Sequence, residues 1–258
     1  MGKFSGMLIC SDFDGTLAFK GQIPQSNIDA IKYFQQNGGK FTVISGRSPS
    51  HFDAYTDAFT PDGYMGCVNG TVIYDVEKKE IFEEHLIENA DALLEFTLKN
   101  HATWKNLKDV MVFGKDRYEC INSDEADFDE KVTAALSQPI NKMLYHGFSP
   151  FSKQEIEWIV GSLGKKFGIS QSWSYGMEIQ TPDFHKGKAA RKIAELLGAT
   201  TLICIGDYEN DLPMLKVADI AYVAKRHHPA LVPYAHRIAD DCEVGAIASI
   251  VRDLDGQC

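Results

Sequence analysis

Two carboxylates, Asp12 and Asp14, directly follow an apolar run at residues 7–10. An apolar run of this length, bounded by a glycine-containing turn, is typical of a buried strand. Residues i and i+2 of an extended segment point to the same side, so we expect both carboxylates to face one crevice. Two adjacent carboxylates repel each other unless they share a cation or a proton. The pair therefore indicates either a hard metal ion beside a nucleophile and an acid, or a solvated acidic turn.

Three further segments carry polar residues with complementary chemistry. Residues 45–47 (Ser-Gly-Arg) follow the apolar run 41–44, and residues 206–211 (Gly-Asp-Tyr-Glu-Asn-Asp) follow the run 202–205. Between them, residues 185–188 (His-Lys-Gly-Lys) open a helical pattern. Ligands of open α/β sheets bind at the carboxyl ends of the strands, so we expect acids, a hydroxyl and an ammonium at one rim. Phosphoryl transfer requires such a set, because its catalysis is mostly positioning and electrostatic neutralisation.

The elements that must position these patches alternate between strand and helix. Such alternation predicts a parallel sheet with helices on both faces. Gly38-Gly39 is expected to stop the first helix, and Ser26 to cap its start. The predicted strands are 7–11, 40–44, 65–68, 202–205 and 220–223, and the predicted helices are 26–36, 49–58, 186–197, 210–216 and 244–254.

The pattern changes between about residues 84 and 180, where we expect a separate α+β domain inserted into the α/β one. Residues 86–99 and 152–167 read as amphipathic helices. Residues 175–176 read as the turn of a hairpin. The predicted strands of this segment are 110–113, 118–121, 169–174 and 177–180. Four residues of this segment are expected to form the core rather than to stack on a ligand: Trp104, Trp173, Tyr175 and Met177.

Composition limits the possible partners. The chain has 258 residues, an apolar fraction of 44% and a net charge of -10 without a basic stripe, which argues against nucleic acid. A phosphorylated small molecule remains possible, because a bound cation and one lysine can invert the local field. No apolar run approaches the ~20 residues of a membrane span, and no signal peptide is recognisable. The six cysteines lack Cys-x-x-Cys spacing, which favours reduced thiols in a cytoplasmic protein (Cys10, Cys67, Cys120, Cys204, Cys242 and Cys258).

The four patches, in this order, resemble the haloacid dehalogenase superfamily of phosphatases, and more closely its Cof-type sugar-phosphatase branch. Residues 68–73, 178–179 and 243–246 extend the resemblance over nearly the whole chain. It implies a doubly wound, Rossmann-like parallel-sheet core formed by residues 1–83 and 184–258. It also implies that residues 84–183 form a C2-type cap that selects the substrate.

The resemblance implies that Asp12 is the nucleophile, since a carboxylate is ionised at neutral pH and needs no general base. Asp14 would protonate the leaving alcohol and then activate water. Asp207, Asp12 and the backbone carbonyl of Asp14 would bind a divalent ion, with Asp211 as a water-mediated or outer partner. Hard oxygen ligands favour Mg²⁺.

Ser45 and Gly46 would form a phosphate cradle, and Asn210 would position phosphate or the lysine. The alternative for Asn210 and Asp211 is helix N-capping, and both roles can be filled at once. Lys186 fits the Lys-Gly-x-Ala frame of the family better than its neighbour Lys188. His185 departs from the usual Ser or Asp and is either a substrate contact or a surface residue. Arg47 is either a contact to phosphate or to the cap, or a surface residue, and the basic loop 225–228 either attracts an anionic substrate or is merely solvated.

The leading hypothesis is a Mg²⁺-dependent phosphomonoester hydrolase that acts on small phosphorylated metabolites, sugar phosphates first, through an aspartyl phosphate. One alternative is a phosphomutase or phosphotransferase that passes the phosphoryl group to another hydroxyl. Another is a non-catalytic phospho-acceptor regulatory protein, against which a large substrate-selecting cap argues. The sequence leaves the oligomeric state open.

Overall fold

The computed structural model describes residues 2–114 and 117–256, so Cys258 lies outside the described residues. The chain divides into two compact units. Residues Met1–Glu83 and His185–Cys258 form the core unit, and Glu84–Phe184 form the inserted unit. The described cysteines are all free. In the described part of the chain, no helix has both the length and the apolar character needed to cross a membrane.

The core unit is built on a parallel sheet of five strands in the order β13-β12-β11-β1-β2. Leu8, Ile9 and Cys10 of β1 are fully buried, because β1 lies between two neighbouring strands. Strands buried on both faces read as continuous apolar runs, which explains why β1 was recognisable. The predicted α/β parallel-sheet class is confirmed. The strands are β1 (Met7–Ser11), β2 (Lys40–Val43), β11 (Thr201–Gly206), β12 (Ile220–Val223) and β13 (Arg237–Ile238).

The strand expected at 65–68 belongs to a second sheet, which corrects the sequence analysis. β3 (Tyr64–Cys67) pairs antiparallel with β4 (Val72–Asp75), and β5 (Glu80–Glu84) completes this three-stranded sheet. A parallel bridge between Ile44 and Gly66 links β3 to the end of β2. The physical reason is the short connection: antiparallel strands can be joined by a tight turn, whereas a parallel partner needs a long crossover.

Within the described ranges of the chain, four α-helices accompany the core sheet, and α1 packs on α7 and α5 on α6. Ser26 is not the N-cap of α1: the helix begins one residue earlier, and the Ser26 hydroxyl donates to the Val244 carbonyl instead, at 2.7 Å. The helix expected at 49–58 is a shorter 3-10 helix, Pro49–Tyr55. The helix bounds are α1 (Gln25–Gln36), α5 (Lys186–Leu197), α6 (Leu212–Val217) and α7 (Ala246–Asp255).

The inserted unit has an antiparallel sheet of order β7-β6-β8-β10-β9, and Trp104 and Met177 belong to its apolar core. Sequence analysis missed α3 and β8. Lys142 of β8 is a charged residue that is only 2% exposed, because it forms an ion pair with Glu178. Bounds are α2 (Ala90–His101), β6 (Leu107–Phe113), β7 (Tyr118–Asn122), α3 (Phe128–Leu136), β8 (Lys142–Gly147), α4 (Lys153–Leu163), β9 (Gly168–Trp173) and β10 (Gly176–Gln180).

Candidate active site

Three adjacent strands bring the loops of the site to one edge of the core sheet. The amide of Ile44, after β2, donates to the carbonyl of Ser11 at 2.8 Å. On the other side, the amide of Asp12 donates to the carbonyl of Ile205 in β11 at 2.9 Å. Because β2, β1 and β11 run in parallel, their carboxyl ends meet here. Asp12 therefore lies between the loop of Ser45 and the loop of Asp207.

Lys186 joins the first turn of α5 to this edge. Its Nζ lies 2.6 Å from Oδ1 of Asp12 and 2.6 Å from Oδ1 of Asp211. The three residues are 1%, 7% and 0% exposed respectively, so the ammonium and both carboxylates are out of bulk water. Lys188, the rival on the same helix, is exposed. The structure therefore places Lys186, and not Lys188, against the acidic residues.

The charged side chains of this group shift one another's pKa values. Burial on its own would lower the pKa of Lys186, but the carboxylates of Asp12 and Asp211 outweigh it and raise that pKa. Burial, followed by the charge of Asp211, raises the pKa of Asp12, and Lys186 opposes this shift. Lys186 is thus held in its charged form, while the site as a whole disfavours further negative charge.

Asp207 completes the acidic group from the end of β11. The hydroxyl of Thr16 donates to its Oδ1 at 3.0 Å, and burial, with a contribution from Asp211, raises its pKa to about 7. Oδ2 of Asp211 accepts the backbone amides of Asp207 at 2.8 Å and of Tyr208 at 3.2 Å. A Cβ at Gly206 would lie 2.3 Å from Cγ of Asp211, so the residue before Asp207 must be glycine for this carboxylate to fold back.

The acidic group fits a divalent cation. One carboxylate oxygen each from Asp12, Asp207 and Asp211 can be chosen so that all lie within 4.8 Å of one another. Lys186 forms ion pairs with Asp12 and Asp211, and one ammonium cannot balance the charge of three ionised carboxylates. Buried charge of one sign is costly unless it is neutralised, and oxygen donors suit hard cations such as Mg²⁺.

Asp14 lies outside this group of three carboxylates. Its side chain is 49% exposed and forms a two-point ion pair with Arg47, at 2.8 Å from Nε and 3.1 Å from Nη2. From its sequence context, Arg47 is either a contact to phosphate or to the cap, or a surface residue. In the structure it holds the side chain expected to be the general acid.

The expected phosphate cradle lies in the loop after β2. Ser45 is 1% exposed, and its Oγ accepts the amide of Arg47 at 3.2 Å, while Gly46 forms a half-buried bend between them. Asn210 is 7% exposed, and its Nδ2 donates to Oδ1 of Asn69 at 3.3 Å. The side chains of Ser45 and Asn210 are therefore both buried and hydrogen-bonded.

The residues that the sequence left unassigned have mainly structural contacts. His185 is the N-cap of α5, since its Nδ1 accepts the amide of Lys188 at 3.3 Å. In the basic loop, Arg226 is bound by the carboxylates of Asp241 and Glu243, so it is neutralised. The backbone amide of His228 donates to the carbonyl of Asp207 at 2.7 Å. This loop thus supports the Asp207 turn.

Sequence reasoning missed the contacts of two residues at this edge. Thr16 stands two residues after Asp14 on the same turn, and a hydroxyl at that spacing was the available signal. Asn69 belongs to an Asn-Gly pair, which indicates a turn but not its partner. The contact from Asn69 to Asn210 joins positions 141 residues apart, so no local pattern could have shown it.

A family model described as haloacid dehalogenase-like hydrolase matches residues 9–251. The chain belongs to this family. A Buchnera aphidicola (subsp. Acyrthosiphon pisum) protein, provisionally named a phosphatase, is 27% identical, with 87% of this chain and 86% of the relative covered. The HMP-PP phosphatase of Klebsiella pneumoniae is 22% identical, with 93% of each covered. The expected superfamily and a phosphatase enzyme are thereby confirmed.

Solved structures show the same fold. The HAD subclass IIB sugar phosphatase BT4131 superimposes with a TM-score of 0.79 at 17% identity, covering 96% of this chain and 99% of its own. A haloacid dehalogenase-like hydrolase from B. subtilis superimposes with a TM-score of 0.77 at 19% identity, covering 95% and 98%. At these identities the likeness establishes the haloacid dehalogenase architecture.

Proposed function

We propose that this chain is a Mg²⁺-dependent phosphomonoester hydrolase that acts on small phosphorylated metabolites, with sugar phosphates as the first substrates to test. The observation that carries the proposal is the buried ion pair of Lys186 with Asp12, inside a group of three carboxylates at the carboxyl ends of the strands. Lys186 opposes the rise in the pKa of Asp12 and so favours the ionised carboxylate that attack on phosphorus requires.

In the first step, the carboxylate of Asp12 forms a bond to phosphorus while the ester P–O bond breaks. Asp14 donates a proton to the departing alcohol oxygen. Lys186 remains charged and offsets negative charge on the nucleophile and on the phosphoryl oxygens. The cradle at Ser45 and Gly46 orients the phosphoryl group. The product is an aspartyl phosphate on Asp12 and a free alcohol.

In the second step, water attacks the aspartyl phosphate, the acyl phosphate bond breaks, and Asp14 takes the proton from water. Inorganic phosphate leaves, and the carboxylate of Asp12 is restored. Asn210 and Asp211 would keep Lys186 and the phosphate correctly positioned. Asp211 does so through its contacts to Lys186 and to the amides of the Asp207 turn.

Mg²⁺ would be held by Asp12, Asp207 and the backbone carbonyl of Asp14, with Asp211 as an outer or water-mediated partner. When bound, it supplies positive charge that stabilises the phosphoryl oxygens. The inserted unit would act as the cap that selects the leaving group. Phosphotransfer to a second hydroxyl remains the alternative chemistry, because both reactions share the first step.

The test is release of inorganic phosphate from a panel of phosphorylated metabolites, with and without Mg²⁺. The panel holds sugar phosphates and HMP-PP, the latter because one relative is named for it. Native protein is compared with Asp12→Asn and with Asp29→Asn, a matched control on the exposed side of α1. We expect Mg²⁺-dependent release that Asp12→Asn abolishes and Asp29→Asn leaves unchanged.

The same reaction in ¹⁸O-labelled water separates hydrolysis from transfer. Incorporation of one ¹⁸O into the released phosphate is expected for hydrolysis through water. Loss of the phosphorylated substrate without phosphate release, accompanied by a new phosphorylated product, would instead establish a transferase. Folded native protein that consumes no panel member would contradict the proposal for these substrates.

A further inference from the structure

The turn between β3 and β4 has an unusual backbone. Val68, Asn69 and Gly70 have φ values of +50°, +58° and +88° in succession. Glycine adopts such angles freely and asparagine tolerates them, but a β-branched valine in this region is an outlier. Conformations of this kind are strained for residues other than glycine and persist where the surroundings determine them. The contacts that determine this turn therefore indicate what it does.

The backbone of the turn is attached to the phosphate cradle. The amide of Val68 donates to the carbonyl of Arg47, and the amide of Asn69 donates to the carbonyl of Ser45, both at 2.8 Å. On its other side the turn lies against the start of α5. A Cβ at Gly70 would come within 3.0 Å of the His185 carbonyl. The turn thus lies between the cradle and the helix that carries Lys186.

The side chain of Asn69 reaches the third loop of the site. Its Oδ1 accepts Nδ2 of Asn210 at 3.3 Å, and both residues are buried, at 2% and 7% exposure. Because the NH₂ group of Asn210 is used by Asn69, the orientation of this amide is defined. Oδ1 of Asn210 is then a buried acceptor that has no donor among the residues that the structure describes. Such an acceptor is costly unless a donor is provided in the working enzyme.

We propose that Asn69 is a positioning residue for phosphoryl transfer, a role that rests on the proposed function. Its left-handed backbone holds the carbonyl of Ser45, and its side chain orients the Asn210 amide so that the oxygen of that amide is presented as an acceptor. One residue outside the four acidic and basic patches thereby connects the phosphate cradle to the acidic loop.

The chain allows the two tasks of Asn69 to be separated. Asn69→Gly keeps the positive φ accessible and removes the acceptor, whereas Asn69→Ala removes the acceptor and also disfavours the positive φ. We expect Asn69→Gly to lower kcat about tenfold, as for a lost hydrogen bond in a catalytic assembly, with little change in KM. Asn69→Ala, which in addition strains the turn, should lose at least as much kcat and melt at a lower temperature than Asn69→Gly. Thermal melting checks that both variants are folded.

A double-mutant cycle identifies the partner through which Asn69 acts. If it acts through Asn210, then Asn69→Gly combined with Asn210→Ala loses no more activity than Asn210→Ala alone. Losses that multiply, or native kcat in Asn69→Gly, would overturn the proposal.

A second measurement needs no substrate. In ¹⁵N-labelled protein, the side-chain amide signals of Asn210, assigned by their loss in Asn210→Ala, should shift in Asn69→Gly and remain near their native position in Gly161→Ala, a control in α4 where a Cβ would meet nothing within 4 Å. Unchanged signals in Asn69→Gly would overturn the proposal even if no substrate were known. Native protein that releases no phosphate would count against the proposed function, and the amide signals would still decide whether Asn69 orients Asn210.

Discussion

Arg47 holds both carboxylate oxygens of Asp14, and half of each side chain is exposed to solvent. A two-point guanidinium pair favours the ionised carboxylate, whereas a general acid must carry a proton when the ester bond breaks. Exposed ion pairs contribute little to stability, so this one can be exchanged for other contacts without a large loss. An incoming phosphate is an anion that competes for Arg47. In the proposed mechanism, arrival of the substrate would thereby release Asp14 for proton transfer.

The two roles proposed for Asp14, acid in the first step and base in the second, lead to a kinetic prediction for Asp14→Asn. With p-nitrophenyl phosphate, whose leaving group needs no proton, the first step should survive and the second should slow by roughly 10²–10⁴-fold. We expect a burst of nitrophenol equal to the enzyme concentration, followed by slow turnover. A sugar phosphate should give no burst. Rapid-quench measurements of nitrophenol and of phosphorylated protein check this, and equal loss on both substrates without a burst would contradict the two-step role.

Lys186 and Lys188 form a matched pair on one helix. Lys186→Met leaves Asp12 and Asp211 buried without their cation, which typically costs roughly 3–5 kcal/mol. We expect a large fall in the unfolding free energy in the absence of Mg²⁺ and loss of phosphate release. Lys188→Met should leave both nearly unchanged, because Lys188 is exposed. Urea unfolding and the phosphate assay measure the two effects, and similar results for both variants would contradict the assignment.

The absence of a side chain at Gly206 allows the Asp211 carboxylate to lie against the backbone, and a substitution tests this contact. In Gly206→Ala the new Cβ would meet the Asp211 carboxylate, so we expect a displaced Asp211, lower stability and weaker Mg²⁺-dependent activity. The control is Gly161→Ala in α4, where a Cβ would meet nothing within 4 Å. This exchange in a helix interior should stabilise by roughly 0.5–1 kcal/mol. Equal melting temperatures for the two variants would show that the close approach at Gly206 does not matter.

His185 makes stability depend on pH. Burial, then the charge of Lys188, lowers its pKa below the ordinary value of 6.5. In the window between the lowered value and 6.5, the unfolded chain binds more protons than the folded one, so stability falls as the pH decreases through that window. Protonation of Nδ1 also removes the acceptor that caps α5, and losing a cap costs about 0.5–2 kcal/mol.

The variant His185→Asn isolates this contribution, because asparagine caps helices well and does not titrate. We expect its unfolding free energy to fall less than that of the native protein between pH 7 and pH 5. The pKa of His51 is also lowered, chiefly by burial, and His51 remains in both proteins, so the difference between them reports His185. Parallel pH profiles of urea unfolding would refute the prediction.

Local patterns predicted the elements that carry the chemistry. β1, α5 and β12 have the expected bounds, and the acidic pairs stand directly after buried strands. These elements were recognisable because a strand buried on both faces is continuously apolar and an amphipathic helix has a defined period. Sequence alone therefore indicated the fold class, the family and the class of reaction.

Tertiary structure decided which side chains meet. Lys186 rather than Lys188 is buried, Arg47 pairs with Asp14, and Asn69 contacts Asn210. β3 pairs antiparallel with β4 because the short turn after β3 reverses the direction of the chain. β8 was missed because it begins with a charged residue, Lys142, whose buried ammonium is paired with Glu178, a residue distant in the chain. Hydrophobic periodicity is a local property of the sequence, whereas a buried charge or amide is stabilised by a partner that only the folded chain brings within reach.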